Sequence, residues 1–137
     1  MAYTHQVTAR FFHVDRAGII FFGRIFEYCH IVFEEMLGEV FERVAPTFEE
    51  HDFGMPIVHC EADFKRPMNM EDKLDISVEV GQITGRSVTF DYTVLGAGGD
   101  VRATAQIKHA FVRLSTFAPC GPPEVLTNGL RKLELIS

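Results

Sequence analysis

Apolar residues recur at helical spacing in one stretch of the chain, Phe22–Leu37. They follow the i, i+3, i+4, i+7 pattern of a helix with one buried face, whereas Glu27, Glu34 and Glu35 fall outside that stripe. The stretch therefore predicts an amphipathic helix of about four turns. Gly38 follows directly and is predicted to end the helix.

Elsewhere the chain alternates apolar and polar residues, which is typical of strands with one buried face. The glycine-rich segment 96–100 predicts a hairpin turn, and a slip in the alternation near Ala110 indicates a bulge or burial on both faces. A short turn or helix is predicted around Pro46–Phe53, and another short helix around Val125–Leu133. The predicted strands are Thr4–Phe12, Ile57–Phe64, Leu74–Val80, Val88–Val94 and Val101–Leu114.

The predicted order is one strand, the long helix and then four strands, which indicates an α+β fold. One helix cannot cover both faces of such a sheet, so the sheet must curl around it. An unpaired edge and an apolar far face are then left without a partner. We therefore expect a homodimer or a homotetramer, with any active site near a subunit boundary.

Length and composition narrow the class of protein. The chain has 137 residues, and we predict a single domain over residues 1–137. A net charge of −6 argues against nonspecific binding to nucleic acid, which depends on basic surface. No leader segment and no apolar run of membrane-spanning length is evident, so we expect no membrane partner and a cytoplasmic location. The three cysteines are too few and too widely spaced for a disulfide framework or zinc site, so no metal or cofactor is predicted.

The loop before the predicted helix holds the most informative residues. Asp15 lies in it, and the helix that follows begins with unpaired backbone N–H groups that carry partial positive charge. Such amides can hold a carbonyl oxygen as it gains charge, while a nearby carboxylate attacks the carbon or activates a water. Gly18 permits a tight turn between the two. The alternative interpretation is an aspartate in an ordinary polar turn, which composition alone favours.

The segment Asp15-x-x-Gly18 followed by Ile19-Ile20-Phe21-Phe22 resembles the signature of the 4-hydroxybenzoyl-CoA thioesterase family. This resemblance implies the hotdog fold, a five-stranded antiparallel sheet wrapped around one long central helix, and an acyl-CoA thioesterase. The likeness is greatest to members that hydrolyse aryl-CoA, including the 1,4-dihydroxy-2-naphthoyl-CoA hydrolases. It spans roughly residues 4–114, and the further segments that carry it are Pro56–Phe64, Phe64–Pro67, Asp72–Leu74 and Gly85–Ser87.

The resemblance also implies roles for residues of the motif. Asp15 would be the nucleophile or general base, Gly18 would form the turn, and the N–H of Phe22 would polarise the thioester carbonyl. Family members often have Tyr at the position of Phe22 and Asn three to five residues beyond it. This chain has neither, so only the backbone role carries over.

Contacts to CoA are implied at a second segment. Arg86 and Ser87 resemble the basic segment that meets the nucleotide of CoA, and a guanidinium suits phosphate oxygens. Lys65–Arg66 is another candidate for this contact. The alternative is that these cations are simply solvated at the surface.

Contacts to the acyl group are implied nearer the helix. The chain has 13 Phe, and Phe21 and Phe26 are predicted to bound an apolar pocket that suits a flat aromatic group. His59 is predicted to contact the acyl group or orient water, and His13 to tune Asp15. For each of these residues a purely structural role in the core is the alternative.

Two other functions remain open. The first is a thioesterase that acts on a short aliphatic acyl-CoA or on acyl carrier protein. The second is a non-catalytic hotdog module that binds an acyl thioester. Asp15 at the catalytic position of the motif favours catalysis.

Overall fold

A long helix packs against a five-stranded antiparallel sheet in the computed structural model, which describes all 137 residues. The helix, α1, spans Arg24–Phe41. Two short helices follow, α2 (Val44–Glu50) and α3 (Glu124–Lys132). The strands are β1 (Tyr3–Thr8), β2 (Ile57–Phe64), β3 (Lys73–Ile83), β4 (Ser87–Leu95) and β5 (Val101–Ala110).

The strands lie in the order β1-β3-β4-β5-β2, so β1 and β2 are the two edges. All four strand pairs are antiparallel. Every second residue of β4 is buried, including Phe90 and Tyr92, while the residues between them, such as Asp91, are only half-buried. This outer face is polar, so the prediction of an apolar far face is wrong, although the alternation itself is confirmed.

The buried stripe of α1 forms the other half of the core. The predicted stripe is confirmed at Ile25, Cys29, Val32, Phe33, Met36 and Leu37, and Tyr28 and Phe41 are buried as well. Of the other two predicted members, Phe22 is exposed and precedes the helix, and Phe26 is half-buried. The helix does not end at Gly38 as predicted but continues to Phe41. The Phe41 ring lies edge-on to Phe48 and Phe53, and this burial outweighs the weak helix preference of glycine.

Two predicted strands are longer than those observed. β1 ends at Thr8, and Phe11–His13 form a turn of 3₁₀ helix. The N–H groups of His13 and Val14 bond within this turn, to the carbonyls of Arg10 and Phe11, instead of to a neighbouring strand. Phe11 and Phe12 are exposed there. At the other end of the sheet β5 stops at Ala110, four residues before its predicted end. Phe111 and Val112 are both buried, which confirms burial on both faces at this point.

The second edge strand is unusually exposed. No residue of β2 is fully buried, and Ile57, Val58 and Phe64 are exposed apolar residues on it. Because β2 pairs only with β5, its other edge has free backbone N–H and C=O groups. None of the helices has the length and apolar character needed to cross a membrane.

Candidate active site

The loop that carries Asp15 is a tight turn pinned at its base. Val14 and Ile20 form an isolated bridge, and the Asp15 N–H donates to the Ile19 carbonyl at 2.9 Å. The Gly18 N–H donates back to the Asp15 carbonyl at 3.1 Å. Gly18 has φ +81°, a left-handed conformation that glycine adopts without strain, so the turn favours a glycine here.

The Asp15 carboxylate keeps one oxygen free. Its Oδ1 accepts a hydrogen bond from the Ala17 N–H at 2.8 Å, which holds the side chain in the turn. Its Oδ2 has no hydrogen-bond partner, and the residue is exposed. Asp15 therefore stabilises the polar turn and also presents an oxygen for chemistry, so the two interpretations of its role are compatible.

Two backbone amides at the start of α1 are unpaired. Phe21 donates its N–H to the His13 carbonyl at 2.9 Å, and Arg24 donates to the Phe21 carbonyl at 2.9 Å. The N–H groups of Phe22 and Gly23, between them, donate to no group of the chain. They lie at the positive end of the helix dipole, where they can stabilise a carbonyl oxygen that gains negative charge.

Asp15 and Phe22 line the same cleft, which has a volume of about 430 Å³. A mostly apolar cleft with a few polar groups is typical of a small-molecule site. Phe21 lines it as well, and so do Lys65 and Arg66. The remaining wall residues are Ile19, Ile20, Phe64, Pro67 and Met68.

An ion-pair network holds the far wall of the cleft. Arg102 bonds Asp100 through Nε at 2.6 Å and Asp72 through Nη1 at 3.0 Å. Its Nη1 also donates to the Pro67 carbonyl at 2.7 Å, and its own carbonyl accepts the N–H groups of Lys65 and Arg66. The guanidinium holds the pKa of Asp100 below its usual range. These contacts fix the segment 65–67 opposite Asp15.

The remaining predicted residues lie away from this cleft within one chain. His59 is exposed on β2, with its Nε2 3.6 Å from Glu61 Oε1. Arg86 and Ser87 lie at the β3–β4 turn, where the Arg86 side chain makes no hydrogen bond or ion pair. Phe26 packs against the core and does not line the cleft.

The sequence did not reveal how His13 is held. Its Nδ1 accepts a hydrogen bond from the Arg10 N–H at 3.0 Å and lies 2.8 Å from the Tyr28 hydroxyl. Burial lowers the pKa of His13, and burial raises the pKa of Tyr28 to about 12. His13 makes no hydrogen bond to the Asp15 side chain, so its contact with Tyr28 anchors the loop.

The site and fold agree with comparisons to known proteins. A family model described as the thioesterase-like superfamily matches residues 9–130. A 1,4-dihydroxy-2-naphthoyl-CoA hydrolase of Prochlorococcus marinus (strain NATL2A) is 31% identical over 120 residues, or 82% of this chain and 77% of that protein. The 1,4-dihydroxy-2-naphthoyl-CoA thioesterase structure from Synechocystis has a TM-score of 0.88 at 22% identity, covering 98% of both chains. A Staphylococcus aureus protein in complex with CoA has a TM-score of 0.87 at 10% identity, covering 96% of this chain and 83% of that one.

A five-stranded antiparallel sheet packed on one long helix, with a carboxylate beside the helix N-terminus, is the architecture of hotdog thioesterases. The chain belongs to the thioesterase-like superfamily. The predicted fold, family and thioester hydrolase activity are confirmed.

Proposed function

We propose that the chain hydrolyses an aromatic acyl-CoA to the free acid and CoA. The observation that carries this proposal is the shared, mostly apolar cleft, which is lined both by Asp15, with one carboxylate oxygen free, and by Phe22, whose N–H is unpaired. The named relatives support the substrate class, because they are 1,4-dihydroxy-2-naphthoyl-CoA hydrolases. The phenylalanine walls also suit a flat ring, which aromatic side chains contact by offset stacking.

The chemistry follows from two groups. The N–H of Phe22, helped by that of Gly23, binds the thioester carbonyl oxygen and stabilises the negative charge that forms on it. Asp15 then acts in one of two ways. As nucleophile it attacks the carbonyl carbon, the C–S bond breaks, CoA leaves as thiolate, and water hydrolyses the resulting mixed anhydride. As general base it takes a proton from a water that attacks the same carbon, and the C–S bond then breaks to release CoA as thiolate and the free acid.

We propose that the chain, residues 1–137, acts as a single hotdog domain within a homodimer, and that dimers associate further into a homotetramer. The support is the unpaired edge of β2 together with exposed Ile57, Val58 and Phe64. His59, Arg86, Ser87 and Phe26 retain their proposed substrate contacts in such an assembly. His59, Arg86 and Ser87 would reach a cleft from a neighbouring subunit, with Arg86 at a CoA phosphate, whereas Phe26 packs against the core of its own subunit.

A cytoplasmic location is part of the same proposal. All three cysteines are unpaired, which suits a reducing compartment. Two observations bear on the alternatives. A short aliphatic acyl group would fill little of a cleft of about 430 Å³, and a non-catalytic module would not need the free oxygen of Asp15.

The test is a hydrolysis screen over aryl, short-chain and long-chain CoA thioesters and one acyl carrier protein thioester. We expect the highest kcat/KM with an aryl-CoA. A preference for an aliphatic acyl group or for the carrier protein would replace the substrate class proposed above. Saturable binding without any release of CoA would instead support the non-catalytic module.

A further inference from the structure

A second cavity lies apart from the Asp15 cleft, between α1 and the approach to β2. Its volume is about 400 Å³, large enough for a small aromatic molecule. Phe33 and Leu37 of α1 line it, together with Phe48 of α2, Met55, and Ile57 at the start of β2. None of these residues lines the cleft at the helix N-terminus.

His109 on β5 lines this cavity and has an unused acceptor. The residue is 2% exposed, and its Nδ1 lies 2.8 Å from the Met55 carbonyl. A carbonyl only accepts hydrogen bonds, so Nδ1 carries the proton. Burial lowers the pKa of His109, which keeps the ring neutral and leaves a lone pair on Nε2. That Nε2 has no hydrogen-bond partner, whereas buried polar atoms nearly always have one.

The neighbouring rings hold the His109 ring in place. The His109 ring stacks on Phe33 with centroids 4.8 Å apart and planes inclined at 20°. It also lies edge-on to Phe90 at 5.7 Å. Because Nε2 is enclosed, a ligand reaches it only if a wall side chain turns. His30 is exposed, lines the cavity and makes no hydrogen bond that would prevent this movement.

The charges around the cavity define the ligand further. Glu34 is the one side chain there that carries a fixed charge, and no Lys or Arg lines the cavity. A carboxylate disfavours an anionic ligand and accepts hydrogen bonds. The ligand that matches is therefore neutral, flat and apolar, and it carries a hydrogen-bond donor such as a hydroxyl group.

We propose that this cavity binds an aromatic ring bearing a hydroxyl group, which donates a hydrogen bond to Nε2 of His109. The ring has two possible sources, the acyl group of a CoA thioester or a free phenol. The first source rests on the proposed function and on the homodimer. Phe33 lies about 13.5 Å along α1 from Arg24, the first residue of the helix, too far for a ring held at Asp15 of the same subunit. If two β2 edges pair antiparallel, the start of one β2 lies beside the end of the other. Ile57 at the start of β2 lines this cavity and Phe64 at its end lines the cleft, so the cavity of one subunit would lie beside the cleft of its partner.

Binding to the unmodified protein tests the site directly. We would label the histidine nitrogens with ¹⁵N and titrate the full chain with phenol and with anisole, which lacks the donor. We expect phenol to shift the Nε2 resonance of His109 and to bind about fivefold more tightly than anisole, the ratio for one neutral hydrogen bond. Equal affinities, or an unshifted Nε2 resonance, would overturn the proposal without any variant being needed.

A variant then supports or removes the assignment to His109. His109→Phe keeps an aromatic ring between Phe33 and Phe90 but has no acceptor, so phenol and anisole should bind it equally. His51→Phe, at an exposed histidine outside the cavity, should retain the fivefold preference. A preference that persists in His109→Phe would also overturn the assignment.

Kinetics distinguish the two sources of the ring. If the ring belongs to the substrate, the ratio of kcat/KM for 4-hydroxybenzoyl-CoA to that for benzoyl-CoA should fall about fivefold in His109→Phe. If the ligand is a free phenol, that ratio should stay constant and phenol should bind without competing with either thioester. Phenol selectivity without hydrolysis of any thioester would refute the proposed function and leave the cavity assignment intact. Hydrolysis of a thioester without selectivity for phenol would refute the cavity assignment and leave the proposed function intact.

Discussion

The hydroxyl of Tyr28 lies 2.8 Å from Nδ1 of His13 and thereby joins α1 to the loop that carries Asp15. Because the Arg10 N–H already donates to this Nδ1, the ring nitrogen is unprotonated and Tyr28 is the donor. The carbonyl of His13 in turn accepts the N–H of Phe21. A single buried histidine therefore sets the position of the loop and of the helix start, the two parts of the proposed site.

Removal of this hydroxyl should loosen the site. In Tyr28→Phe the buried Nδ1 loses one of its two donors, and we expect a loss of about 1 kcal/mol in the free energy of unfolding. We expect kcat to fall severalfold, because the loop that holds Asp15 is less firmly anchored. Urea unfolding and steady-state kinetics on an aryl-CoA measure the two effects.

Tyr92 offers a control with the same chemical change. Its hydroxyl is also buried but has no hydrogen-bond partner. Tyr92→Phe removes an unsatisfied group and should leave the free energy of unfolding unchanged or raise it by about 1 kcal/mol. If both variants lose the same stability, the contact between Tyr28 and His13 has no special role.

Protonation of the buried histidines should make the fold sensitive to mild acid. Burial lowers the pKa of both His13 and His109 below the ordinary 6.5. Below pH 6.5 the unfolded chain therefore takes up protons that the folded chain refuses, so the free energy of unfolding falls as the pH decreases. We expect full stability above about pH 6.5 and a steady decline towards pH 5, measured by urea unfolding at each pH.

Unfolding of a His109 variant over the same pH range tests whether the buried histidines cause the loss of stability. His109→Phe removes one of the two groups and should flatten the decline between pH 6.5 and pH 5. His51→Phe, at an exposed histidine, should leave the slope as it is. A slope that is identical in all three proteins would assign the acid sensitivity to other groups.

Much of the fold follows from local patterns that the sequence displays. The helical stripe of α1 and the alternation along β3 and β4 predicted which residues are buried, because one face of each element must meet the core. The motif Asp15-x-x-Gly18 indicated the turn for a physical reason, since glycine adopts the observed φ of +81° without the strain that a side chain would add. The family resemblance then added the backbone role of Phe22.

Contacts between distant segments were not predictable in this way. Tyr28 stands in an apolar stripe, where a hydroxyl gives no sign that it meets a histidine 15 residues earlier. The far wall of the cleft depends on Arg102, which lies 35 residues from Pro67 in the sequence. The ends of β1 and α1 were misplaced because the exposure of Phe12 and the burial of Phe41 are set by tertiary packing.

Arg86 should contribute to binding of CoA and little to the chemical step. Its side chain makes no hydrogen bond or ion pair within the chain, so it is available for a phosphate. We expect Arg86→Ala to raise KM about tenfold with kcat nearly unchanged, because the phosphate is bound equally in the ground and transition states. Arg43→Ala, which removes another exposed arginine, should leave KM unaltered. An unchanged KM for Arg86→Ala at low ionic strength would remove the assignment.

The free edge of β2 should mediate self-association. Cys60 is exposed near the middle of this strand, where a two-fold axis would bring the same residue of both copies together. Cys60→Lys should therefore weaken the dimer by charge repulsion, whereas Phe117→Lys, at an exposed residue outside β2, should not. Sedimentation equilibrium measures the dissociation constant of the dimer for both variants. A stable 15.5 kDa monomer of the unmodified chain at micromolar concentration would contradict the proposal.

Asp15 is the residue on which the proposed mechanism depends. Asn has nearly the same shape and can still accept the Ala17 N–H, so Asp15→Asn should keep the turn and the binding of CoA. It has neither the basicity nor the nucleophilicity of a carboxylate. We expect kcat to fall at least about 100-fold, the low end for loss of a general base. Full activity in a correctly folded Asp15→Asn protein would exclude both routes.

Single-turnover hydrolysis in ¹⁸O-water separates the two routes for the unmodified protein. A general base activates water without forming a bond to it, so Asp15 never acquires label and the product acid does. On the nucleophilic route the result depends on which carbonyl of the mixed anhydride the water attacks. Attack at the aspartyl carbon places ¹⁸O in Asp15 during the first turnover and leaves the first product acid with an oxygen from Asp15. Mass spectrometry of the peptide that contains Asp15 detects that label, and its presence would exclude the general-base route.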